Sequence, residues 1–370
     1  MIRKVSFKTL ILSLLFALPM LSFASKSEGN GLLAERGTDE KKSAISEFIR
    51  HHLKDSHDFH LFSNAETGDH YGFPLPVIFF GSNGLVTFMS SEFHHDDAGQ
   101  VLVNKGGAKF TKYHGKIYEL NAGATALDYN DAAHKANNAT KITLDLSITK
   151  NVFTIFLVGL LMLLMFSKLA KGYKNSPIPT GFGRVLEPLV LYVRDEIARP
   201  NIGEKKYKKF MGYLLTVFFF IWILNLLGMT PLGVNVTGNI AITMCLALFT
   251  FIITQINGNK DYWGHIFWMP GVPVPMKIIL APIEVLGMFT KPFALMLRLF
   301  ANITAGHVVV MSLVGLIFWY KSAVGGLAIS IPLTLFISVI ELLVAFLQAY
   351  IFTMLSSLFI GMAVEEHDHH

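Results

Sequence analysis

Five ionisable side chains and two amides stand in stretches of this chain that are otherwise apolar: Glu284, Lys291, Arg298, His307 and Glu341, with Asn302 and Gln348. On insertion scales an ionised group at mid-membrane costs on the order of 2.5 to 3.5 kcal/mol, so their joint presence implies a compensating use. Helical geometry sorts them. Arg298 and Asn302, four apart, share a face, and Glu284 lies fourteen residues earlier, nearly in phase. His307, nine residues after Arg298, points to the opposite side of a straight helix, while Glu341 and Gln348, seven apart, share a face of the next one. An imidazole with an unperturbed pKa near 6.5 beside a carboxyl can pass a proton on. A guanidinium keeps its charge throughout. Plainer readings exist for each. Amides glue membrane helices, His307 and Glu341 can form a buried hydrogen-bonded pair, Arg298 can pair with Glu341, and Lys291 can snorkel toward the cytoplasmic interface.

The elements that must carry these residues are membrane helices. The chain has 370 residues, 52% hydrophobic and 15% charged, with a mean hydropathy of +0.48, which is too apolar for one soluble domain. Its net charge of +5 is clustered beside apolar spans, which favours a topology signal over nucleic-acid binding. The single cysteine, Cys245, lies in an apolar run and reads as lipid-facing or core filling. Three parts are expected. Residues 1–24 form a secretory signal peptide, with a basic start, an apolar core and small Ser22 and Ala24 before the cut, although a retained first helix is the alternative. Residues 25–147 form a polar, extracytoplasmic extension, small and β-rich or irregular, in which "VIFFGSNGLVTFMS" and "KFTKYHGKIYEL" each read as two strands about a turn. It is dotted with His51, His52, His57, His60, His70, His94 and His95, whose spacing matches no compact metal-ligand set, so they and the tail "EEHDHH" read as solvated surface.

Residues 148–370 form the membrane domain. Apolar spans begin at 148 and at about 210, 237, 276 and 326, and the last two are too long for one upright helix, so they should tilt steeply or break, with Pro282, Pro292 and Pro332 as possible kinks. From Lys168 to Lys209 there are ten Lys/Arg against four Asp/Glu, which marks that side as cytoplasmic. The expectation is an all-α polytopic membrane protein of about five inserted helices, the extension outside and the C-terminus in the cytoplasm.

The stretches "MLRLFANITAGH" and "ELLVAFLQAYIFTMLSSLFIGMAVEEH", with "LNLLGMTPLGVNVTGNIAITMCLALF" and "PIEVLGMFTKPFALMLRLF" upstream, resemble subunit a of the F-type ATP synthase over roughly residues 140–367. The resemblance implies a stator lying against a rotating ring of c subunits in a bacterial inner membrane, with peripheral-stalk b subunits and the rest of the synthase as partners. It maps Arg298 onto the family's essential arginine, Gln348 onto a glutamine near it, Asn302 onto an asparagine of the same helix, Glu284 onto an acid of the cytoplasmic exit path and Asn235 onto the asparagine of "NVT". His307 and Glu341 stand exchanged relative to some bacterial members, as in the mitochondrial form, which keeps one acid and one imidazole for a relay. The acid often found two residues before the "NVT" asparagine is Gly233 here, so that rung is missing.

On this reading two offset half-channels, one through His307 and Glu341 and the other near Glu284, are kept apart by Arg298. No cofactor is implied. The chain carries no "GxxxxGK[ST]" phosphate cradle, so it is a channel subunit rather than an enzyme. A secondary transporter using Arg298, Glu284 and Glu341 as ligands would predict internal repeats with interrupted helices in both halves, whereas the polar insertions lie only in the second. A purely structural anchor leaves the clustered ionisable groups unexplained.

Overall fold

The structure, a computed structural model, describes residues 55–63, 70–94, 96–121, 123–130, 135–142, 144–175, 181, 183–230, 234–269, 271–319 and 323–365. The expected signal peptide, His51, His52, His95 and the last five residues lie outside these, as do the side chains of His60 and His70. Two compact units divide the chain: one runs up to Phe156 and takes in Thr230–Asn235 and Phe318–Lys321, and the other holds Leu157–Met229, Val236–Ile317 and the residues from Ser322 onward.

The first unit is built of short antiparallel strands, among them β1 (Asp58–Ser63), β2 (His70–Pro74), β3 (Pro76–Gly81), β4 (Gly84–Met89), β5 (Val103–Lys105), β6 (Ala108–Tyr113), β7 (Lys116–Leu120), β8 (Tyr129–Asn130), β9 (Lys135–Ala136) and β10 (Ala139–Lys141). Both hairpins read from the sequence form, β3 with β4 and β6 with β7. Each closes through a two-residue turn. In the second, His114 and Gly115 both take positive φ, 49° and 73°, as the favoured hairpin turn requires. Strands β10, β7, β6 and β5 make a four-stranded sheet. Period-two alternation sends Val77, Phe79, Val86 and Phe88 inward onto Phe93, Phe110 and Ile117, and this apolar cluster is the core of the unit.

The same unit grips the start of the first long helix, α1 (Lys150–Asn175). The Lys150 N–H donates to Ser56 O at 2.9 Å and the Asn151 N–H to Asp55 Oδ1 at 3.2 Å. Phe153 meets the stacked pair Phe59 and Phe73 edge-on, at centroid distances of 5.6 and 5.2 Å. Asp145 accepts from the Ser147 N–H at 2.9 Å and lies 3.4 Å from Nε2 of the buried His57. Burial alone would push the Asp145 carboxyl up, but its hydrogen bonds to His57 and Ser147 outweigh that and hold it at about 2.

The second unit contains α2 (Gly183–Tyr192), a π turn (Val193–Ala198), α3 (Arg199–Ile202), α4 (Tyr207–Gly228), α5 (Ile240–Ile256), α6 (Lys260–Phe267), α7 (Val274–Trp319) and α8 (Ala323–Val364). Among the described residues four helices are long and apolar enough to cross a membrane, namely α1, α4, α7 and α8. Helix α5, at 17 residues, reaches that length only together with α6, from which it is bent by 104°. The fifth expected span is therefore a bent pair rather than one straight helix, because "NGN" at 257–259 interrupts the apolar run with no residue that favours continuing it. Helices α7 and α8 run unbroken for 46 and 42 residues despite Pro282, Pro292 and Pro332. At 1.5 Å per residue each exceeds ~60 Å, twice the hydrocarbon thickness, so both must lie steeply oblique to the membrane normal.

Helix α8 packs on α4 through Phe218, Trp222 and Phe346, and on the π turn, where the Ser357 hydroxyl donates to Ile197 O at 2.8 Å. Gly361 abuts the Asn201 carbonyl so closely that no Cβ fits there.

The depressed Asp145 pKa makes a pH-dependent grip. Its stabilisation is complete above the unfolded carboxylate pKa of roughly 3.9 and is lost as the pH falls through about 2. Protease protection of the extension, in membranes holding the full chain, should hold down to about pH 4 and fall below it. Asp145→Asn should lower protection at neutral pH and flatten that fall.

Candidate functional site

Helices α7 and α8 carry six of the seven residues singled out for function. Arg298 and Asn302 lie exposed on α7, in a face otherwise made small by Ala294, Ala301 and Ala305. Among the described residues no ion pair reaches Arg298, so the alternative of a fixed pair with Glu341 is not the arrangement found. The adjoining flank of this stretch, Leu295 and Leu299, is buried in the unit, which fixes the rotation of the helix and leaves the guanidinium at the edge of the exposed face.

Glu341, half-buried on α8, turns its carboxyl toward the α7 backbone: a Cβ added to Gly306 would stand 2.5 Å from Glu341 Oε1. Glycine is what lets the carboxyl approach this closely. The contact falls one residue before His307, whose backbone continues α7 and whose side chain is outside the described residues. Gly306 lies eight residues after Arg298, roughly a quarter turn round the helix from it.

Gln348 is buried two turns along α8 from Glu341. Glu284 is half-buried on α7, with Pro292 between it and Arg298. Asn235 lies just before α5 and groups with the first unit; it is buried, and its Oδ1 has no partner among the described residues. The Lys291 ammonium lies 5.5 Å from the Phe359 ring centroid, in a cleft that Thr254, Gln255 and Tyr262 also line. Phe359 stands near the C-terminal end of α8.

Two polar groups were missed from the sequence. Asn225 of α4 is buried, accepts from Thr237 Oγ1 at 2.9 Å and donates to Ala345 O at 3.3 Å, three residues before Gln348. An amide inside "FFFIWILNLLG" was the available signal. Thr304 of α7 keeps a buried hydroxyl without a partner among the described residues, and a lone threonine in a membrane helix gives no signal at all.

The arrangement therefore offers an outward permanent cation on one face of α7 and, about two turns further along, a carboxyl tucked between α7 and α8. Such a pair can hold a fixed charge against an external group and handle a proton separately.

The family model described as ATP synthase A chain matches residues 152–361, and one described as a domain of unknown function matches residues 48–146. The chain is 48% identical over 234 residues to ATP synthase subunit a 2 of Chlorobaculum tepidum, covering 61% of this chain and 66% of that one. It is 45% identical over 255 residues to ATP synthase subunit a of Myxococcus xanthus, covering 68% and 84%. The chain thus spans just under two thirds of the length of the first of these relatives.

The Asn225 bridge has a measurable weight. Asn225→Leu should lower the thermal stability of the detergent-solubilised chain by about 1–3 kcal/mol, because it strands the Thr237 hydroxyl and the Ala345 carbonyl. Adding Thr237→Val should cost less than it does in the unaltered chain, and full additivity would show that the two side chains are not coupled.

Proposed function

We propose, because the chain belongs to the ATP synthase A chain family, that it is the proton-translocating stator of an F-type ATP synthase, with Arg298 facing the rotor of c subunits. The observation that carries this reading is an exposed guanidinium on a membrane-length helix with no ion pair among the described residues. A charge in that position costs several kcal/mol against lipid, so its partner belongs to another chain. The small residues Ala294, Ala301 and Ala305 around it let another helix approach closely.

In this reading a rotor carboxyl passing Arg298 is held ionised, since the guanidinium cannot give up its charge and favours the carboxylate. The same charge keeps protons from passing directly between the two access paths. His307 and Glu341, with Asn235, serve the outer path, Gln348 and Asn302 line the proton path near Arg298, and Glu284 serves the inner path. Each proton moving down the gradient yields about 2.3 kcal/mol per 100 mV, so several are pooled through rotation for each ATP made elsewhere in the complex. The similarity to bacterial subunit a proteins supports a bacterial inner-membrane location, with b subunits and the remaining synthase as partners. The basic run 168–209 supports a cytoplasmic side there, which places the β unit outside and, with α5 and α6 as a fifth crossing, the C-terminus inside.

Arg298→Ala should abolish proton-driven ATP synthesis in membrane vesicles while the complex still assembles, and normal synthesis in that variant would discard the stator reading. Exchanging the pair, His307→Glu with Glu341→His, should retain more proton transport than either single change, measured as quenching of a pH-sensitive dye. Equal or greater loss in the double variant would argue against a shared relay.

A further inference from the structure

The β unit has a second apolar surface that its core does not use. Strand alternation turns Phe80, Leu85 and Met89 to the outer side of the β3–β4 hairpin, opposite Val77, Phe79, Val86 and Phe88. The run 144–148 extends that side. It lies antiparallel to β3, with the Phe80 N–H donating to Leu144 O at 3.1 Å, the Leu146 N–H to Ile78 O at 2.8 Å and the Ile148 N–H to Pro76 O at 3.0 Å. This register sets Leu144 beside Phe80 and Leu146 beside Ile78. Phe80, Leu85, Leu144 and Leu146 are 49%, 59%, 52% and 59% exposed, and the pairing of Asp145 with Phe79 turns the one charged residue of 144–148 toward His57, on the other face. By contrast the four-stranded sheet exposes Lys116 and Lys141. A contiguous uncharged apolar patch of this kind marks a contact surface.

What covers it follows from where the chain goes next. Leu144, Leu146 and Ile148 lead without a linker into α1, whose candidate membrane span starts at Lys150 and whose Phe156, Leu157 and Leu160 are exposed in turn. The span of 24 residues is about 36 Å long against about 30 Å of hydrocarbon, so Lys150 stands among the headgroups. Leu146, four residues earlier, is at most ~13 Å of extended chain from it. The grip on residues 150–153 through Ser56, Asp55 and the Phe59, Phe73 and Phe153 cluster ties the patch to the first turn of α1 rather than to a loose tether.

We propose that this outer face of β3, β4 and residues 144–148 is a lipid-contact surface, seated in the interfacial layer of the bilayer where α1 begins. Which leaflet it enters rests on the orientation proposed above; the lipid contact itself does not.

The test uses the full chain in its assembled complex, in a Cys245→Ala background, reconstituted in phosphatidylcholine and phosphatidylglycerol vesicles. Single cysteines replacing Leu85, Thr87, Leu146 and, as control, Lys116 carry a fluorophore. Lipids brominated in the upper acyl chain should quench the labels at 85, 87 and 146 several-fold more than the label at 116, and aqueous iodide should show the reverse order. Iodide quenching at 85, 87 and 146 equal to that at 116 would overturn the proposal, since the face would then be in water. Protection from both quenchers would overturn it too, since a protein partner would then cover the face. ATP-driven proton pumping in the same vesicles reads the stator function separately.

Discussion

A guanidinium does not shed its proton at any pH a cell meets, and this fixes what the membrane unit can be. A lysine on α7 could in principle be neutralised by burial, and a carboxylate by a proton, but Arg298 must be solvated, paired or matched by an outside group. Among the described residues no ion pair reaches it. Leu295 and Leu299 on the adjoining flank of the helix are buried, so the helix cannot rotate its charge inward without exposing them. Small Ala294, Ala301 and Ala305 share the exposed face with the cation.

About two turns further along, the second acid is treated in the opposite way. Glu341 is drawn against the α7 backbone at Gly306, out of the open surface where Arg298 lies. An exposed cation and a half-buried carboxyl are thus held at separate positions along one helix. Holding them so needs two long helices in fixed register, and α7 and α8 are each about twice the length a crossing requires. Their register is set elsewhere, by aromatic packing of α8 on α4, by the Asn225 bridge to Ala345 and by the close approach of Gly361 to Asn201.

The β unit poses a separate physical problem, because a small sheet carries two apolar faces and has only one core. Its inner face is closed by Phe79, Phe110 and their neighbours, and its outer face is left to the surroundings. Within the same unit the first turn of α1 is held by Ser56, Asp55 and Phe153's ring contacts.

Much of this was legible in one dimension. Hydropathy located the long helices, since apolar runs of that length have few other uses, and alternation about "SNG" and "HG" located both hairpins, because turn chemistry is local. The out-of-place charges were equally plain, since their cost does not depend on neighbours. Other features depended on partners distant in sequence. The 104° bend between α5 and α6, the reach of Lys291 to Phe359, the burial of Gln348 and the contact of Glu341 with Gly306 are each set by which helices come to lie side by side. Sequence by itself determined which residues carry charge and which segments enter the bilayer, because those follow from solvation one residue at a time. Only the tertiary structure decided which charge is left unpaired and outward and which is folded in, because pairing and burial are properties of two helices at once.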